Sequence, residues 1–278
     1  MCGRYVVISK LKAIEKRFNL LPSPEDLFGP MNNVSVGDYA PVVTNQAPNK
    51  LQLLQFGMTP SWAKKKMYLF NARSEGDHNK ENDTNYVGAM GIISKPSFRS
   101  VIRKKRCLII VDAFIEGPKK EKLSKPYVVY MKDKQRPFTL AGVWDDWADP
   151  ETGEVTSSFA IITTTANDVL QKIGHHRSPV ILKKGDEEMW LSDVPLSEIT
   201  AMLRPYEDDA LNAYPISPSI KNPRDKDMAL LQPIGARIFP EYDFEIHQAL
   251  ALQGMGMTTA RKRKDEEQPD KNTQGTLF

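Results

Sequence analysis

The sequence predicts an α+β fold, a single compact domain with short peripheral helices. Three observations carry this expectation. Runs rich in β-branched and aromatic residues alternate with polar turns along most of the chain. The helical stretches between them are short and do not repeat as βαβ units. At 278 residues and 40% hydrophobic, the chain is long enough for one substantial core.

RYVVI at 4–8 reads as the first strand. A helix follows over SKLKAIEKRFNL, with Leu11, Ile14 and Phe18 on one face and Ser9 as its expected cap. Residues 21–50 are rich in Pro, Gly and Asn and read as loop with short ordered pieces. LQLLQF at 51–56 is a strand that runs into a turn at Gly57 and Pro60. Residues 74–97 carry few apolar positions and read as a long irregular excursion. Strands are then expected at 107–114 (CLIIVDAF), 127–131, 138–144 and 159–165. Short helices are expected at 166–173, from Asp186, and at about 197–204. The domain is placed at 1–240, with a helical extension at 241–258. The tail from 259 to 278 has a basic run, an acidic run and almost no apolar content, and reads as disordered.

The net charge of +3 is too small to establish a nucleic-acid partner, so local clusters carry that question. The first fifteen residues lack a basic segment followed by an apolar run. No run of 18 apolar residues suggests a membrane span. A cytoplasmic protein is expected. Of the two cysteines, Cys107 lies in a strand and reads as a small core residue, so a structural disulfide has little support. With four histidines and no close Cys/His spacing, neither a structural zinc nor any other metal or cofactor is expected. Without heptads or repeats, the expected state is a monomer.

Cys2 directly follows Met1 and is the leading chemical candidate. A small second residue favours removal of the initiator. Cys2 would then carry an amine titrating at about 7.7–8.0 and a thiol at about 8.5, on neighbouring carbons. That pair condenses with an aldehyde into a five-membered ring. Such a nucleophile needs groups that move protons and groups that hold the electrophile. Glu116 leaves a core strand, where desolvation raises a carboxyl and suits it to proton transfer near neutrality. Asp112, in the same run, reads as a buried residue paired locally. His175, His176 and Arg177 precede an apolar strand. One histidine can shuttle a proton and the guanidinium can hold phosphate. Asn71 can orient a hydroxyl or ring oxygen. Arg73, the basic segment with Arg99, Arg103, Lys104, Lys105 and Arg106, and Lys64–Lys66 beside Trp62 fit phosphate attraction with base stacking. Arg261–Lys264 in the tail form a further basic run.

Taken in order, CGR at 2–4, FGMTPSW at 56–62, NARSE at 71–75, DAFIEG at 112–117, ITTTAN at 162–167 and HHRSPVIL at 175–182 resemble the SRAP, or SOS response-associated peptidase, family. The resemblance spans about residues 2–235. It implies a compact α+β domain around a strongly bent, barrel-like β-sheet core. It also implies that the mature protein begins at Cys2 and forms a thiazolidine crosslink with the aldehyde of an abasic site in DNA, shielding the lesion. By motif, Asn71 would position the opened sugar, Glu116 would be the acid/base, and His175 would assist ring opening. Arg4 and Arg73 would contact phosphate and Trp62 would stack near bases. Arg99, Arg103 and Arg177 complete the expected DNA-binding set. The implied partners are single-stranded DNA carrying abasic sites and single-strand/double-strand junctions. Met1 would be removed either by the protein itself, as the resemblance implies, or by a cellular aminopeptidase, and ring closure should favour protection over strand cleavage.

Two positions depart from the family pattern. Asp38, in GDYAP, stands where Asn is usual and, if ionised, would repel phosphate. Gly117 stands where an aromatic often follows the acid, which predicts a missing packing contact. The residues also fit an N-terminal-nucleophile cysteine amidase or peptidase, or a noncovalent single-strand-binding protein.

Overall fold

The computed structural model describes residues 2–133, 135–207 and 209–241. The extension expected beyond Glu241, the tail at 259–278 and its basic run lie outside the described residues. Strand β1 (Arg4–Val7) leads into helix α1 (Leu11–Phe18). Strands β2 (Met31–Ser35), β3 (Tyr39–Thr44), β4 (Gln52–Phe56) and β5 (Asn71–Arg73) follow. Next come α2 (Val101–Lys104), β6 (Arg106–Val111), β7 (Ala113–Glu116), β8 (Tyr127–Met131), β9 (Phe138–Ala148) and β10 (Val155–Thr165). The chain continues with α3 (Asp168–Ile173), β11 (Arg177–Pro179), β12 (Ile181–Leu182), α4 (Asp186–Leu191), α5 (Leu196–Ala201) and β13 (Leu211–Pro215).

The larger sheet closes on itself. Neighbours run β10–β4–β3–β6–β9, and β9 pairs with β10 to complete a five-stranded barrel. The β4–β10 pair is parallel and the other four junctions are antiparallel. Closure removes the free edges that an open sheet would expose. Val42, Phe56, Ile109, Leu140, Val143, Phe159 and Ile161 are fully buried. Every residue of β6 is buried, because the strand is walled on one side by the barrel and on the other by α2 and α4. This is why β6 reads as a continuous apolar run instead of an alternating one. The second sheet is antiparallel, in the order β13–β8–β7–β1–β2. Phe56 joins the two sheets. Its ring stacks on Phe159 at 5.2 Å and meets Tyr5 edge-on at 5.6 Å.

The predicted strand CLIIVDAF is two strands in two sheets. Asp112 marks the break: it is buried, its Oδ2 accepts from the Ile8 and Ser9 amides at 2.6 and 2.7 Å, and its own amide donates to Val6. Ser9 is therefore not the cap of α1. Its hydroxyl donates to Asp112, and the N-cap position is Lys10, which makes no side-chain capping bond. The stretch expected to be mainly loop at 21–50 contains β2 and β3. The MNNVS sequence of β2 is buried through polar side chains whose partners come from distant segments, as with Asn33 and the carbonyls of Ile220, Asn222 and Asp225, whereas β3 buries Ala40, Val42 and Val43. The 74–97 excursion is turns with one 3-10 turn at Gly91–Ile93.

Candidate active site

The two sheets bring the candidate chemistry together where they meet. β1 and β7 pair antiparallel with Tyr5 opposite Phe114. Continuing that register by two residues sets Gly3 opposite Glu116, so Cys2 and Glu116 become neighbours. From the barrel side, β5 lies parallel to β10 with Asn71 opposite Ile161. The β10–α3–β11 connection returns His175 to the same end. Helix α3 is capped by Asn167, whose side chain accepts from the Leu170 amide, and it ends at Gly174 with φ 84°, immediately before His175. A left-handed glycine there lets the chain reverse without steric cost.

Cys2 is 1% exposed. Burial, and then the charge of Glu116, push its thiol well above its usual range, and its Sγ donates to the Arg4 carbonyl at 3.9 Å. Asn71 Nδ2 donates to the Cys2 carbonyl at 2.8 Å and also to that of Phe70. Asn71 Oδ1 is buried with no hydrogen-bond partner among the described residues, so it is an acceptor held ready for a donor from outside. Glu116 is 5% exposed and burial raises its carboxyl to about 7. His175 is also 5% exposed, and burial lowers its imidazole to about 3. Its Nε2 lies 3.4 Å from Glu116 Oε2.

Arg4, Glu116, His175 and His176 line a cavity of about 660 Å³, with Val36, Phe70, Ile115 and Leu123 as apolar wall. Cys2 and Asn71 adjoin it in sequence through Gly3 and Phe70. Burial lowers His176 to about 4, leaving it neutral, and its Nδ1 is enclosed without a hydrogen-bond partner among the described residues. Arg4 donates to Asn33 Oδ1 and to the Lys221 carbonyl. Arg73 lies 3.8 Å from Glu75 through Nε, yet its Nε and Nη2 make no hydrogen bond among the described residues. Trp62 is 59% exposed on a strap held by Ser61 to Asp145 and by Ala63 to Trp147.

Other expected contacts are turned inward. Arg177, expected at phosphate, is 2% exposed and forms a bidentate ion pair with Glu75 at 3.1 and 2.8 Å, with a further bond to the Thr163 carbonyl. Its donors are spent inside the protein. What it offers the site is its carbonyl, which accepts a hydrogen bond from His175 Nδ1 at 2.7 Å. In the basic segment, Arg106 is buried and donates to the carbonyls of Trp190, Ile102 and Ser192. Lys105 is bridged to Asp145 and Asp146. Arg99, Arg103 and Lys104 stay exposed, and Arg103 bonds the Ile93 carbonyl. None of these lines the cavity.

Both departures have local explanations. Asp38 is opposed by desolvation but held below the usual carboxylate range by Lys226 at 2.8 Å and by Ser35. Its charge is thus answered within the protein. A Cβ on Gly117 would lie 1.9 Å from the Lys122 carbonyl oxygen, so backbone occupies the space an aromatic would need. The sequence reading missed Val36, Phe70, Leu123 and Lys221 as cavity residues. Only the lysines of GPKKEKLSK gave a signal, as a charge cluster beside Glu116.

Residues 1–223 match the family described as SOS response associated peptidase (SRAP). The chain is 30% identical over 240 residues to "Abasic site processing protein YoqW" of Bacillus subtilis (strain 168), covering 84% of this chain and 99% of that one. It is 30% identical over 204 residues to "Abasic site processing protein HMCES" of Gallus gallus, covering 65% of this chain and 56% of that one. Among solved structures, a protein from Bacteroides thetaiotaomicron superposes with a TM-score of 0.70 at 26% identity, covering 84% and 99% of the two chains.

Proposed function

We propose that this chain, which belongs to the SOS response associated peptidase family, processes abasic sites in single-stranded DNA by forming a covalent thiazolidine through Cys2. The observation that carries the reading is the convergence of Cys2, Asn71, Glu116 and His175 where the two sheets meet, beside a cavity with a basic rim. The names of the relatives support the same substrate.

Removal of Met1 gives Cys2 its amine. The amine attacks the C1′ aldehyde of the opened sugar, and the carbinolamine loses water as the Glu116–His175 pair supplies a proton. The Cys2 sulfur then attacks the imine carbon, its proton passes to the imine nitrogen, and the ring closes. One water leaves per aldehyde and no oxidant is needed. The buried thiol, held protonated, delivers that proton only when the imine is present. Asn71 Oδ1 accepts from a sugar hydroxyl while its amide fixes the Cys2 carbonyl. Arg73 offers donors to flanking phosphates, Arg4 adds its charge while bonded to Asn33 and Lys221, and Trp62 offers a stacking face. The same acid/base pair beside Cys2 supports removal of Met1 by the protein itself.

The test is a denaturing gel with matured protein and a strand carrying one abasic site, with Cys2→Ala in parallel. A slow-migrating species formed without reductant, absent with Cys2→Ala and with intact DNA, is the expected result. No such species, once mass spectrometry shows that Met1 is gone, would leave noncovalent strand binding or amide hydrolysis as the activity.

A further inference from the structure

The loop after Glu116 forms one wall of the cavity, through Pro118, Lys119, Lys122, Leu123 and Ser124. Its fold depends on Gly117, which lets the Lys122 and Lys125 carbonyls close in where a Cβ would meet them at 1.9 and 2.9 Å. The loop is anchored at both sides of the site. The Lys119 amide donates to the Gly174 carbonyl at 3.0 Å, next to His175. On the other side Lys221 Nζ donates to Ser124 Oγ at 2.7 Å, and Arg4 Nη2 donates to the Lys221 carbonyl at 2.9 Å. A loop fixed at both ends is a preorganised surface, so a ligand would not have to order it.

The charge on this wall is predominantly positive, with Glu121 as the loop's one carboxylate on it. Lys119, Lys120, Lys122, Lys125 and Lys221 are all exposed. Lys125 meets Glu121 at 3.5 Å. Among the described residues, the other four have no carboxylate within ion-pair distance. Lys119 is near enough to help lower His176, so its field reaches the catalytic pair's neighbour. The cavity is also larger than an opened deoxyribose requires, leaving room for the strand beside it.

We propose that this wall is a phosphate rail: Lys119, Lys122 and Lys221 hold the DNA backbone on one side of the abasic nucleotide. The proposal rests on the reading of the site as DNA-reactive and extends it to residues outside the family motifs. Each lysine that neutralises a phosphate of single-stranded DNA releases condensed counterions, so the contact appears in the salt dependence of binding.

The experiment measures noncovalent binding of an undamaged oligonucleotide across a potassium chloride series, in a Cys2→Ala background that cannot crosslink. Lys119→Ala/Lys122→Ala is compared with Lys50→Ala/Lys184→Ala, two exposed lysines that do not line this cavity. Circular dichroism and thermal melts check that each variant is folded. The expected result is a log–log slope shallower by about 1.4 for the first pair, at ~0.7 per lost phosphate contact, and a smaller change for the second. An unchanged slope in the folded first pair, or an equal change in both, overturns the rail. Equal loss of affinity for a polyglutamate peptide would assign the wall to anions in general and overturn strand tracking. If the parent chain forms no crosslink, the thiazolidine reading fails while these slopes still test the rail.

Discussion

His175 Nε2 faces Glu116 Oε2 at 3.4 Å while its Nδ1 contacts the Arg177 carbonyl at 2.7 Å. A carbonyl only accepts, so Nδ1 carries the ring proton. Burial lowers the imidazole to about 3, so at neutral pH Nε2 is a bare lone pair aimed at the carboxyl. Burial raises that carboxyl to about 7, and its proton is the one the pair shares. The terminal amine of matured Cys2 must be unprotonated to attack, with a reference value of about 7.7–8.0. Crosslinking should therefore rise with pH as the amine frees and fall as Glu116 loses its proton. Glu116→Gln should slow the reaction by about 10²–10⁴ and remove the limb near pH 7. Single-turnover rates from pH 5.5 to 9 check both. A Glu116→Gln profile that keeps the limb would assign it to another group.

The same burial has a cost in stability. Below about pH 4.5 Glu116 is protonated whether the chain is folded or not. Between about 4.5 and 7 the folded chain keeps a proton that the unfolded chain releases, so stability falls as pH rises. Above about 7 the penalty is constant, at roughly 3 kcal/mol as an upper bound. Glu116→Gln should then melt higher than the parent at pH 8 and close to it at pH 4. Equal differences at both pH values would mean that the carboxyl is not held protonated by the fold.

Much of this arrangement was legible in the sequence, and what was not has physical reasons. Strands β1, β4, β8, β9 and β10 show as β-branched or aromatic runs. β2 does not, because Asn32 and Asn33 are buried through hydrogen bonds to residues nearly two hundred positions away, and the short β-branched run of β3 is masked by the Pro, Gly and Asn around it. The break at Asp112 is invisible within CLIIVDAF, since only the partner strands decide which sheet each half joins. Cys2, Asn71, Glu116 and His175 stand out by residue type and motif, and the fold gathers them where the two sheets meet. Arg177 is expected at phosphate, and its guanidinium lies on the buried Glu75; in sequence a guanidinium looks the same in either setting. Local composition carries no record of long-range partners.

The Glu75–Arg177 pair should behave as a positioning element for His175. Both side chains are 3% exposed and the geometry is bidentate. Removing one partner leaves a buried charge, so Glu75→Ala should lose about 3–5 kcal/mol in urea denaturation. Glu75→Gln, which keeps the shape and one acceptor, should retain more stability. If the pair fixes the Arg177 carbonyl under His175, Glu75→Gln should also shift the pH profile of crosslinking. A loss of stability with an unmoved profile would make the pair structural only.

Gly117 supplies the last test, because its substitution separates the loop from the acid. Restoring an aromatic, Gly117→Trp, should not recover a packing contact. Its Cβ would fall on the Lys122 carbonyl, and both that residue and Lys125 offer backbone instead of flexible side chain. The loop must shift, at a cost of about 1–3 kcal/mol, the usual range for overpacking. Gly117→Ala should do the same to a large extent, since the clash is at Cβ. Displacement would break the Lys119–Gly174 and Ser124–Lys221 bonds that tie the wall across the site. Trypsin should then cut at Lys119, Lys120 or Lys122 well before the barrel unfolds, and before the same sites are cut in the parent. If both variants keep the parent's stability and cleavage pattern, the glycine is not what closes this wall.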